Sequence, residues 1–286
     1  MKKVITSNRK SCRAFTLIEI MVATVIMVVL VGLVIQITSE VLKVWNRSSG
    51  KLSTNAEARI AMDLLTQDLE TAIFRNNGQQ WLRVEAPVDP GGEYTDQTVA
   101  LKLFAPALDR PEGPGDICAI GYRLAFKQSY DQGPNVYALY RRVIDPATTF
   151  DEYLGSSNDP GKQDSLDDAT LWAEFGNDSI TDDGNYLVGN IIEFKVLVYE
   201  KPATPGGAIE PVNATPEGLL EADYAYGGNG GRTAQLLYAD ILLTVVSDQG
   251  LQMIENIDKL PETVDEVVAL HGDVFIRRVN FQARPL

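Results

Sequence analysis

The chain has 286 residues, a formal net charge of −14 and 45% apolar residues, enough for one large domain or two modest ones. Lys2, Lys3, Arg9, Lys10 and Arg13 put five bases and no acid into the first fourteen residues, leaving 20 bases against 39 acids, a net −19, for the rest. A body this acidic repels phosphate backbones, which excludes nucleic acid as its expected partner, and two cysteines, Cys12 and Cys118, cannot build a Cys-rich zinc site.

The basic segment 1–14 runs into Phe15–Ile37, 23 residues whose only charge is Glu19. At ~1.5 Å per residue this run reaches about 34 Å, enough to span a bilayer core. It is too long for the apolar core of an ordinary secretory signal, and no Ala-x-Ala pattern closes it. Bases before the span and acids after it place the N-terminus in the cytoplasm and the body across the membrane. A carboxylate inside such a segment is costly. Glu19 either snorkels to the near boundary or does something else, and its place in the first helical turn suits the helix dipole.

The segment Arg13-Ala14-Phe15-Thr16-Leu17-Ile18-Glu19 resembles the type IV prepilin (class III) signal. That resemblance implies a cleaved leader 1–14, cut by prepilin peptidase between Ala14 and Phe15, and N-methylation of Phe15. It also implies an assembly role for Glu19, whose carboxylate would pair with the new terminal ammonium of a neighbouring subunit. Ala14 stands where the family usually has Gly; it is small enough for processing to survive, at a lower rate.

Beyond the span, Val41, Trp45, Leu52, Ala56, Ile60, Leu64 or Leu65, Leu69 and Ile73 recur at helical steps, and no proline appears before Pro87. The spacing predicts one helix over 15–76, stopped by Asn76-Asn77-Gly78, with this stripe laid against the remaining domain, 77–286. The stretch Ala58-Arg59-Ile60-Ala61-Met62-Asp63-Leu64-Leu65-Thr66-Gln67-Asp68-Leu69 is similar to the J-type minor pseudopilins of type II secretion and the W-type minor pilins. Without a family, the same stretch reads as a solvated polar face beside a core stripe.

After residue 80 the apolar period changes. β-rich runs occur near 81–85, 98–104, 117–126, 136–144, 186–199, 236–246 and 273–281, with short helices over 250–260 and 262–270. Short connections favour antiparallel pairing. The expected fold is α+β: a twisted, mostly antiparallel sheet wrapped on the second half of the long helix, as in pilins. Loops 86–97, 156–185 and 201–232 are long and are expected on the surface.

Candidate chemistry is sparse. Asp178, Asp182 and Asp183 lie in an acidic turn that invites calcium, but an EF-hand register on Gly184 puts Asn190 where the closing Glu belongs. No cofactor is expected, with calcium kept as a weak candidate. Gly227–Gly231 lacks the Gly-Lys-Ser/Thr of a P-loop. Cys118 reads as a small buried apolar residue, and His271 as a cap or surface residue rather than a catalyst.

The composite expectation is a structural, non-enzymatic minor subunit of a type IV pilus or a type II secretion pseudopilus. It would sit in the bacterial inner membrane with a periplasmic head before entering a filament. Its partners would be prepilin peptidase, other pilin or pseudopilin subunits and membrane lipid. The alternative is a periplasmic enzyme or receptor domain on an uncleaved anchor.

Overall fold

The computed structural model describes residues 16–74, 80–92, 98–107, 109, 115–128, 133–154, 175–227, 232–259, 261 and 263–281. It forms two compact units, one ending at Ser48 and one starting at Ser49, and helix α1, Leu17–Glu70, contributes to both.

In the first unit every described residue from 16 to 46 is exposed, apolar or not. The helix is long and apolar enough to cross a membrane, with a window of mean hydropathy 2.9. Two threonine hydroxyls in it bond to the helix's own carbonyls. Thr24 Oγ1 donates to the Met21 carbonyl at 2.9 Å and Thr38 Oγ1 to the Val34 carbonyl at 2.8 Å, which makes both residues compatible with hydrocarbon.

In the second unit α1 buries Thr54, Ala58, Ala61, Met62, Leu65, Asp68 and Leu69. This corrects the expected stripe: Leu65 and Leu69 face inward, but Leu52, Ala56 and Ile60 are exposed. Steps of four residues advance 400°, which is 40° past a full turn, so a series of such steps spirals off the buried face. The helix also ends at Glu70, with a turn at Thr71 and a tightened Ala72 N–H to Leu69 C=O bond at 3.3 Å, before the expected stop at Asn76.

The strands are β1 (Gln80–Val88), β2 (Thr98–Ala105), β3 (Cys118–Gln128), β4 (Asn135–Ile144), β5 (Tyr186–Gly189), β6 (Ile191–Glu200), β7 (Tyr224–Gly227), β8 (Leu236–Val246) and β9 (Gly272–Asn280). They form two sheets where one was expected, ordered β5-β4-β3-β2-β1-β7 and β6-β8-β9, and every strand pairing is antiparallel. The predicted run 186–199 is two strands in different sheets. Asn190, at φ 61°, turns the chain from one sheet into the other, and Asn is among the few residues that take this conformation readily. Its carbonyl accepts from Val246 N–H at 2.9 Å and its Nδ2 donates to Asp248 at 2.6 Å, which holds the corner.

Helices α2 (Asp248–Ile254) and α3 (Val264–His271) follow β8. α3 opens with a capping box between Thr263 and Glu266. The 201–232 stretch is not simply a surface loop. Buried Asn213 accepts from Val198 N–H at 3.0 Å and donates to the Val196 carbonyl at 2.8 Å, covering the free edge of β6.

Candidate functional site

The described chain begins at Thr16, so Ala14 and Phe15, the expected cleavage and methylation positions, lie outside the described residues. Glu19 lies within them. Its carboxylate accepts from the Thr16 backbone N–H at 2.9 Å and from Thr16 Oγ1 at 3.0 Å, while Thr16 Oγ1 accepts from Glu19 N–H at 3.3 Å. This is a reciprocal capping box: two helix-terminal donors are satisfied and the carboxylate is anchored beside the positive end of the helix. The Thr-x-x-Glu spacing at a helix start is the signal in the sequence that marks this box.

A second constellation joins α1 to the larger sheet. The Arg141 guanidinium on β4 donates through Nε to Asp68 Oδ2 at 2.9 Å and to Tyr122 Oη at 2.9 Å, through Nη2 to Asp68 Oδ1 at 3.3 Å, and through Nη1 to Asp109 at 2.6 Å. The Tyr122 hydroxyl donates to Asp68 as well. Asp68 is 1% exposed, so it does not belong to the solvated polar face expected of that stretch, on which Arg59 and Asp63 do lie. Burial, and then the Asp68 charge, push the Tyr122 hydroxyl well above its ordinary pKa, so it stays a donor at every physiological pH. Every member of the group is hydrogen-bonded, which makes burial of the two charges tolerable.

The smaller sheet meets α1 through polar contacts on β9. Asn55 Nδ2 donates to Asp273 and Lys51 lies 3.6 Å from it, while Arg277 pairs with Asp63 and donates to Thr66 at 3.3 Å. These contacts orient the helix on the sheets.

The remaining candidates do not converge. The side chain of Asp178 lies outside what is described; Asp182 stands at the N-cap of, and Asp183 opens, a single helical turn, Asp183–Asn185. Among the described residues no group of three or more His, Cys, Asp or Glu side chains is placed to hold a metal. Cys118 is fully buried at the start of β3, as its apolar reading expects. His271 closes α3, but it is buried rather than on the surface because Gly250 packs against its Cβ.

Residues 9–35 match the prokaryotic N-terminal methylation motif, so the chain carries a type IV prepilin-like signature. No curated protein and no solved structure matches the chain.

Proposed function

We propose that this chain is a structural minor subunit of a type IV pilus or of a type II secretion pseudopilus, related to the J-type pseudopilins or W-type pilins. The methylation motif over residues 9–35, continuous with a helix of membrane-spanning length, carries this reading. Prepilin peptidase cuts between Ala14 and Phe15, and Phe15 is methylated. The capping box supports the assembly role of Glu19: it holds the carboxylate at the N-terminal end of its own helix, where the ammonium of an adjacent subunit can reach it.

The basic leader stays cytoplasmic, and the acidic domain lies in the periplasm and then on the filament surface. The size of that domain favours a minor or tip position over the repeating body of the filament.

The test is the N-terminus of protein purified from membranes of peptidase-competent cells, read by intact-mass and peptide mass spectrometry. A chain beginning at methylated Phe15 supports the reading. A chain still beginning at Met1 overturns it in favour of an anchored enzyme or receptor domain.

A further inference from the structure

The membrane register of α1 follows from the charges that bracket it. Between Glu19 and Glu40 lie residues 20–39, twenty positions without a charge. Twenty helical residues rise ~30 Å, the thickness of the hydrocarbon core. The hydroxyls of Thr24 and Thr38 inside this window bond to the helix's own carbonyls.

Past the window the helix does not become simply polar. Val41, Leu42, Val44 and Trp45 are all exposed, Trp45 at 69%. At 100° per residue these four share an arc of about 160°, and Glu40, Lys43, Asn46 and Arg47 occupy the opposite side. Lys43 and Arg47 stand one turn apart, and neither makes an ion pair among the described residues. Tryptophan with flanking bases is the chemistry of a headgroup layer: the indole lies flat among glycerol esters and the cations reach lipid phosphate. A span tilted by about 20° keeps one face against lipid for an extra turn, which suits an amphipathic exit better than a uniformly polar one.

We infer that residues 40–47 form an interfacial anchor for lipid headgroups, with Trp45 in the ester layer and Lys43 and Arg47 on phosphates. The hydrocarbon core then covers residues 20–39 rather than 15–37. In that register the Thr16–Glu19 capping box sits at the opposite boundary, and Glu19 is not immersed. The inference rests on the membrane-spanning reading proposed above.

The test uses the full uncleaved chain, with Cys12→Ser and Cys118→Ala, in vesicles of phosphatidylethanolamine and phosphatidylglycerol. A nitroxide is attached in turn to Leu30→Cys, Val44→Cys and Glu217→Cys, and its collisions with oxygen and with a water-soluble nickel chelate are measured. The label at 30 should favour oxygen, the label at 217 should favour nickel, and the label at 44 should fall between them at headgroup depth. Nickel collisions at 44 equal to those at 217 overturn the anchor, and shielding of 44 from both reagents overturns it in favour of a protein neighbour. A label at 30 that collides freely with nickel overturns the membrane-spanning reading itself. Reversing both cations (Lys43→Glu, Arg47→Glu) should raise nickel collisions at 44 at least twofold, and no change refutes the phosphate contact.

Discussion

Asp68 of the long helix and Arg141 of β4 meet at 2.9 Å with both side chains nearly excluded from water, 73 residues apart in the chain. The contact fixes which turn of α1 faces the larger sheet. Removing one partner leaves a buried charge uncompensated, which costs more than the pair contributes. We expect Asp68→Ala to destabilise the second unit by about 3–5 kcal/mol in denaturant titrations of the full chain in detergent. The triple change Asp68→Leu, Arg141→Met, Tyr122→Phe, which removes every member of the buried group together, should recover most of that loss. A triple variant as unstable as the single one would contradict this description of the cluster.

Glu57 lies across from Asp248. Burial and then repulsion by Asp248 raise its pKa above the ordinary carboxylate value of 4.5. A folded pKa above the unfolded one means that the charged form is disfavoured in the fold. Any stability this group contributes is therefore complete below about pH 4 and lost as pH rises through the folded value. Glu57→Gln should raise the melting temperature at pH 7, where the carboxylate is charged, and leave it unchanged near pH 3.5. The side chain is largely exposed, so the gain is a few tenths of a kcal/mol. Equal melting temperatures at pH 7 would refute the repulsion.

Gly121 on β3 has no room for a side chain, because a Cβ there would overlap the ring of Phe175. Gly121→Ala should cost roughly 1–3 kcal/mol through overpacking. Adding Phe175→Leu should return part of it, measured as melting temperatures of the two variants side by side.

Thr16→Val keeps the size and branching of the side chain but deletes the hydroxyl of the capping box. We expect about 1 kcal/mol less protection of the Glu19 amide in hydrogen exchange on detergent-solubilised protein. Glu19→Ala removes the other half. It should leave membrane insertion and leader cleavage intact while lowering recovery of the chain in sheared filaments. Recovery at the wild-type level would refute the pairing of Glu19 with a neighbouring N-terminus.

The membrane-length run is legible because hydrocarbon tolerates so little polarity that twenty uncharged residues stand out in any sequence. Strands β1 to β4 and β8 are legible because their apolar runs end at turn residues. Asn190 was within reach, because Gly189-Asn190 is a turn pair, but the apolar residues on both sides of it read as one strand. β7 hides for a different reason. It is four residues long, inside a stretch rich in Gly and Pro, and only its pairing with β1 makes it a strand. Asp68 is misread because a polar residue beside a core stripe defaults to the surface, and its partner lies on a strand whose position relative to the helix the sequence does not disclose. The Thr16–Glu19 box was within reach, since it needs only a three-residue spacing at a helix start.

The buried Asp68–Arg141 contact also has a mechanical meaning. Sliding α1 along its own axis by one turn would move Asp68 about 5.4 Å and leave the guanidinium facing apolar surface. Spreading about 4 kcal/mol over that distance gives a resisting force on the order of 50 pN. Tyr122 and Asp109 also accept from the guanidinium, so Arg141 does not depend on Asp68 alone for its position. The pair therefore acts as a shear pin between the helix and the larger sheet.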